Sequence, residues 1–264
     1  MNQNEMKQTE EKLAGSLTAE TTELIPYLPY LLQDIWELGS SPQDMLSLIK
    51  EHIPYNRDTK ILDLGCGKGA VSVTLCKELG VQAKGIDLLP EFIEAAVTKA
   101  DEYGVAHGCK FMVQDINESV KTESGYDIVI LGAVGDVLGE PKETLKKLRQ
   151  VVLKNGYILI DEAFLTGSQE DVRYQNYEYL TFGQWKELFR ELGLQLIAYL
   201  TAEDTDAMDG INDYNNRMIK KRADELMVKY PEKRELFEGY VQSQQMECDD
   251  LDDVVAGVTW LLKR

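Results

Sequence analysis

The sequence predicts an α/β domain built on a doubly wound parallel sheet, and three observations predict it. Between residues 60 and 165, short apolar runs alternate with helical stretches; a glycine turn, Gly65-Cys66-Gly67-Lys68-Gly69, follows the first run; and Asp63, Asp87 and Asp115 stand at or near the ends of the first three. Parallel neighbours require crossover connections, usually helices, so this alternation implies a sheet covered on both faces.

The chain reads as follows. Residues up to about Ser16 look frayed. Leu24, Tyr27, Leu31, Ile35 and Leu38 recur at helical spacing around Pro26 and Pro29, giving one or two N-terminal helices. Ser41-Pro42 opens another helix, with Met45, Leu46, Leu48 and Ile49 on its apolar face and an end near His52 and Pro54. Five strands follow in ILDLG, VQAKGID, KFMVQD, YDIVILGA and YILIDEA, with helices near 69–79, 90–103 and 141–153. A helix from Thr181 to Leu192 leads to a sixth strand, LQLIAYL. Residues 203–253 are strongly acidic and show two helical patterns, Ile211, Tyr214, Met218, Leu226, Tyr230 and then Leu236, Phe237, Tyr240, Val241, broken at Pro231. GVTWLLKR, rich in strand formers, reads as a last strand. The expected organisation is N-terminal tail and cap helices over 1–55, a core of 56–202 and 254–264, and a helical insertion over 203–253.

Composition excludes several classes. With 264 residues, the chain accommodates one large core and an appended subdomain. Hydrophobic residues at 44% and charged residues at 28% are those of a folded globular protein. No apolar stretch is long enough to span a bilayer and the N-terminus lacks the apolar centre of a signal peptide, so a cytoplasmic protein without a membrane partner is expected. The four cysteines, Cys66, Cys76, Cys109 and Cys248, are irregularly spaced and suggest neither a disulfide framework nor a metal site. A formal charge of −18 repels phosphate backbones, so no nucleic-acid partner is expected. That charge suits a cationic small molecule, and equally serves solubility alone.

The glycine turn lies where the first parallel strand hands over to a helix. Glycines serve a tight turn with positive φ and let a ligand approach the backbone. Asp87, closing KGID, is placed for bidentate hydrogen bonding to ribose hydroxyls. Asp115 with Ile116 could hold an adenine amino group and ring face. Asp63 precedes the turn, and YDIVILGAVGD ends over the same crevice. Gly65, Gly67 and Ala70 also satisfy a dinucleotide fingerprint, which leaves an NAD(P)-dependent oxidoreductase as the alternative.

Asp63 to Ala70 resembles the first motif of class I S-adenosylmethionine-dependent methyltransferases, an acidic residue followed by G-x-G-x-G. The likeness continues through Asp87, Asp115, the strand Tyr126 to Gly132 and Lys154-Asn155-Gly156-Tyr157, and covers roughly residues 45–200 plus the last strand. It implies a Rossmann-like seven-stranded sheet of order 3-2-1-4-5-7-6 with an antiparallel last strand, the helical hairpin lying between strands 6 and 7. It implies S-adenosylmethionine as cofactor and S-adenosylhomocysteine as product. The motif match assigns Gly65, Cys66 and Gly67 to the methionine part, Asp87 to the ribose and Asp115 to the adenine amino group; Asp63, Leu88, Ile116 and Leu131 complete the cofactor-binding set.

Ligands of open α/β sheets lie beyond the carboxyl ends of the strands. The 203–253 hairpin would begin on that side, as a lid with Tyr214, Met218, Tyr240 and Met246 lining a pocket, or as an interface, for instance of a homodimer. Methyl transfer from a sulfonium is an in-line displacement that relies on alignment and water exclusion. Should the acceptor need a base, the strand-end candidates are Asp136, Asp161 and Glu162; no catalytic residue is assigned. His52, closing a helix, and His107, in a polar turn, read as structural. Leu131-Gly132-Ala133-Val134 stands where the adenine and amide N-methyltransferases of the family carry Asn or Asp, Pro-Pro and an aromatic. A small-molecule acceptor, at oxygen, nitrogen or carbon, remains, beside a methyltransferase-like binding protein without catalysis.

Overall fold

The computed structural model describes residues 3–174, 177–201 and 211–264. The chain opens with helix α1 (Gln3–Ser16). The frayed tail expected there is corrected: the segment is dense in Glu, Lys, Met, Leu and Ala, which lose little freedom in a helix, and Lys7 pairs with Glu11 one turn on, at 3.4 Å. A 3₁₀ turn at Thr22–Tyr27 runs into the short α2 (Leu28–Leu31), where Pro26 and Pro29 prevent a longer regular helix. Ser41 then caps α3 (Pro42–His52), accepting from the Asp44 N–H with Pro42 in the first turn.

The sheet is laid down by β1 (Lys60–Leu64), α4 (Ala70–Leu79), β2 (Gln82–Asp87), α5 (Pro90–Glu102), β3 (Cys109–Val113), α6 (Ile116–Thr122), β4 (Tyr126–Gly132), α7 (Pro141–Val151) and β5 (Val152–Leu165). After α8 (Phe182–Glu191) and β6 (Gln195–Thr201) come α9 (Ile211–Lys229), α10 (Arg234–Asp253) and β7 (Val255–Lys263). The expected start of the hairpin, 203–210, lies outside the described residues. The strand order is β3-β2-β1-β4-β5-β7-β6, with the first five strands parallel and β7 antiparallel to β6, as the family resemblance implies. β5 begins earlier than the pattern suggests, with Asn155 at φ +65°. Helix α6 escapes the sequence reading because it is shorter than two full amphipathic periods.

The chain divides into two compact units. One, Trp36–Glu162, Phe182–Ala207 and Gly257–Arg264, holds the sheet. Its core lies between the sheet and the helices: Met45, Leu48 and Ile49 of α3 and Val73 and Leu75 of α4 join Ile61, Ile128, Ile130, Leu159 and Leu261 in one fully buried apolar cluster. Burying a large aliphatic side chain contributes about 1.5–3 kcal/mol, so this face carries much of the unit's stability. Trp260 of β7 is completely buried among Phe182, Trp185 and Phe189 of α8.

The other unit, Met1–Ile35, Ala163–Thr181 and Met208–Ala256, is mainly helical. Helices α9 and α10 pack on each other around the break at Pro231, and Tyr27 sets its ring against Phe237 and Tyr230. The Arg222 guanidinium forks onto Asp34 at 2.6 and 2.8 Å. Asp250 is wholly buried and accepts from the backbone N–H groups of Arg173 and Tyr174, at 2.9 and 2.8 Å, and from the Arg173 guanidinium. Its removal leaves those buried amides without an acceptor. Asp250→Ala is expected to lower the unfolding free energy by about 3 kcal/mol, with Asp250→Asn intermediate, as read from urea denaturation midpoints.

Candidate functional site

The cofactor-binding residues singled out in the sequence gather at the carboxyl end of the sheet, all within the sheet unit. The turn after β1 is bound to β2 by the Gly65 and Cys66 N–H groups, which both donate to the Ile86 carbonyl at 2.8 and 3.0 Å. Gly65, Gly67 and Gly69 have φ of +72°, +51° and +76°, a region that L side chains rarely enter. At Gly65 a side chain is also excluded by space, since a Cβ would stand 2.5 Å from Cγ2 of Val134.

Asp87, at the end of β2, holds this turn. Its Oδ2 accepts from the Gly67 N–H at 2.9 Å and its Oδ1 from the Leu89 N–H at 3.0 Å. Burial pushes its pKa up and the backbone donors pull it back. Each oxygen offers two lone-pair sites, so two backbone bonds leave capacity for further donors. Asp63 lies deeper. Only 3% exposed, it points to the α4 face and accepts from the Ser72 hydroxyl at 2.6 Å; burial raises its pKa to about 6. Its carboxylate fastens β1 to α4 under the turn. Cys66 points its thiol back towards β2, where a Cβ on Gly85 would meet it at 2.8 Å, and burial keeps that thiol protonated.

β3 ends at Val113, so the expectation that Asp115 closes the strand is corrected. Asp115 is the N-cap of α6, accepting from the Asn117 N–H at 2.8 Å, because a helix start has unpaired amides that an aspartate satisfies. It still follows β3 by two residues on the carboxyl edge. Ile116 and Leu131 are buried and Leu88 half-buried. The base candidates separate: Asp161 sits in β5 beside Gly132 of β4, whereas Asp136 is exposed in a 3₁₀ turn and Glu162 is half-buried one residue beyond Asp161. His52 ends α3 near Glu51, at 3.8 Å, and His107 is exposed before β3. Tyr214, Met218, Tyr240 and Met246 belong to the helical unit, with Tyr214 exposed and Tyr240 buried.

The sequence reading missed a strap. Residues 36–41 run along the carboxyl edge from the glycine turn to β5. The Trp36 indole donates to the Lys68 carbonyl at 3.0 Å and stacks on Tyr103. Leu38 lies over Gly67, Gly39 meets Ala133, and Ser40 covers Gly132, each glycine making room for the residue facing it. Ser41 ends the strap beside Asp161. Leu38 reads in sequence as the last apolar residue of a helix, and only the Gly39-Ser40-Ser41-Pro42 run hints at an extended segment. A cavity of about 350 Å³, lined by Thr59, Asp127, Lys154, Gly156 and Tyr157 among others, opens at the opposite, amino ends of the strands. Asp127 there is engaged by the Lys60 N–H, and the glycine turn and its acids are at the other end of the sheet.

Cys76 of α4 and Cys109 of β3 are brought together as well, thiol to thiol, although separate in sequence. The described residues contain no group of His, Cys, Asp and Glu side chains placed to hold a metal ion.

A doubly wound sheet with a glycine turn after its first strand and carboxylates after its second and third defines a Rossmann-like nucleotide-cofactor domain. The methyltransferase-domain family model matches residues 55–229, and the chain belongs to that family. The crystal structure of a SAM-dependent methyltransferase from Thiobacillus denitrificans, in complex with S-adenosyl-L-homocysteine, superposes with a TM-score of 0.75 at 20% identity, over 90% of this chain and 98% of that one. The chain is 27% identical over 165 residues to an uncharacterized protein of Haemophilus influenzae, covering 57% of this chain and 64% of that protein. It is 26% identical over 107 residues to norajmaline N-methyltransferase of Rauvolfia serpentina, covering 40% and 37%. The chain thus matches less than two thirds of the length of these curated relatives.

Proposed function

We propose that the protein transfers a methyl group from S-adenosylmethionine to a small-molecule acceptor. The observation that carries this reading is the Gly65–Gly69 turn tied through the Gly67 N–H to Asp87, with Asp115 following the neighbouring strand, in a chain of the methyltransferase-domain family. The residues fit such a cofactor: Asp87 keeps acceptor capacity for two ribose hydroxyls, and the glycine turn that it holds follows β1 on the same carboxyl edge. When bound, S-adenosylmethionine supplies a methyl group already activated on a sulfonium. The Gly65-Cys66-Gly67 backbone would hold its methionine part, Asp87 its ribose and Asp115 its adenine amino group, with Leu88, Ile116 and Leu131 as apolar walls. Asp63 would act from beneath, keeping the turn on α4 through Ser72.

The protein's own task is then alignment and exclusion of water. The strap, anchored by Trp36, is the element that covers the turn. The small-molecule assignment is supported by the N-methyltransferase relative. The test is calorimetric and thermal. S-adenosylmethionine and S-adenosylhomocysteine at a hundredfold excess over Kd are expected to stabilise by about 2.7 kcal/mol, raising Tm by roughly 5–10 °C. No shift with either, and a shift with NAD, would overturn the proposal.

A further inference from the structure

We infer that Asp161, flanked by Ser40 and Ser41, forms the subsite at the reacting end of the cofactor, where its carboxylate faces the transferred methyl group and takes the acceptor's proton. This rests on the methyltransferase reading above. Asp161 stands in register with Gly132, the last residue of β4, and its carbonyl accepts from the Ala133 N–H at 3.0 Å, so it lies level with the carboxyl ends of the neighbouring strands while β5 itself runs on to Leu165. Beyond these ends lies the ligand position of an open α/β sheet. Register pairs share a face, so Asp161 and Gly132 lie on the same side of the sheet as Ile130 and Asp63, under the strap.

A second observation concerns the strap. The Ser40 hydroxyl is buried and has no hydrogen-bond partner at ordinary length, although it stands close enough to Asp161 to favour its charge. It occupies the place over Gly132 that a side chain would need, 2.3 Å from where a Cβ would be. A buried hydroxyl turned only towards Asp161 keeps unused acceptor capacity, which a ligand donor at this point would take up.

The groups facing Asp161 are few. The Ser41 N–H, at the start of α3, and the Ser40 and Thr259 hydroxyls favour the anion, whereas Asp44 of α3 opposes it. Part of the Asp161 surface reaches solvent, but its carboxyl is turned among these groups, and burial pushes its pKa up to about 7. A carboxylate of that basicity suits proton acceptance near neutrality. In the step proposed, the acceptor atom forms a bond to the methyl carbon and the carbon–sulfur bond breaks. The electron pair of that bond stays on sulfur as a neutral thioether, and the acceptor's proton passes to Asp161, which becomes neutral.

The test needs no acceptor. Sinefungin carries a protonated amine where S-adenosylmethionine has its sulfonium methyl, and S-adenosylhomocysteine has neither charge. Titration calorimetry of the full chain at pH 8 is expected to show sinefungin preferred over S-adenosylhomocysteine by about tenfold or more, as a near carboxylate would give. The preference should fall away as pH drops below 7. Asp161→Asn should abolish it while leaving S-adenosylhomocysteine affinity unchanged, and Ser40→Ala should weaken it; melting curves check that both variants fold. An Asp161→Asn protein that binds S-adenosylhomocysteine and keeps the preference overturns this assignment alone. A wild-type chain that binds none of these compounds overturns the methyltransferase reading, and this subsite with it.

Discussion

Asp87→Ala is expected to weaken S-adenosylmethionine binding by at least about a hundredfold, because in the proposed function one carboxylate both receives the ribose and holds the glycine turn. Without it the Gly67 and Leu89 N–H groups lose their acceptor, at 2.9 and 3.0 Å, in a place that is only 9% exposed. Two buried donors left unpaired also cost stability, on the order of 2–4 kcal/mol. Asp87→Asn separates the roles: its amide oxygen can keep one backbone bond, so stability should recover further than affinity. Titration calorimetry with S-adenosylmethionine, beside urea denaturation of the same samples, reads both. Affinity within threefold of wild type would show that the ribose lies elsewhere.

The second large effect is on stability as a function of pH. Asp161 and Asp63 have pKa values raised by burial to about 7 and about 6, above the ordinary 3.8. Acids raised on folding favour the protonated native state, so their contribution is complete below about pH 4 and is lost as pH rises through 6 and 7. For Asp161 the loss by pH 8 is on the order of 4 kcal/mol. Asp161→Asn, nearly isosteric and uncharged, is therefore expected to melt several degrees above wild type at pH 8. The gain should shrink through pH 7 and be gone near pH 4, as followed by circular dichroism melts of both proteins in matched buffers. An equal Tm at pH 8 would mean that the Asp161 carboxylate is solvated after all. A stabilising substitution at this place is also what a functional acid predicts, since reactive sites retain costly charges.

Much of the fold was legible because its signals are local. Alternating apolar runs and helices need only a window of a dozen residues, and Ser41-Pro42 announces α3 by capping chemistry alone. GVTWLLKR reads as a strand for its β-branched and aromatic content, and the structure pairs it against β6. The errors were local as well. Helix α1 has few apolar residues to show a period, and only its helix propensity, which is high, speaks for it in the sequence. Helix α6 is too short to show a period, and Asp115, read as a strand end, caps it instead.

The Gly65–Gly69 turn, its place after β1, and the acids at Asp63, Asp87 and Asp115 follow from order along the chain, since strand, turn and helix are successive in sequence. Contacts between residues far apart in sequence do not. That Asp87 reaches back to Gly67, that Cys76 meets Cys109, and that Ser40 settles over Gly132 beside Asp161 were decided by the packing of strap, helix and sheet. The same packing distinguished Asp161 from Asp136 and Glu162. A carboxylate's basicity depends on what surrounds it in space, and the surroundings of Asp161 come from α3, β5 and β7, elements brought together only by the folded core.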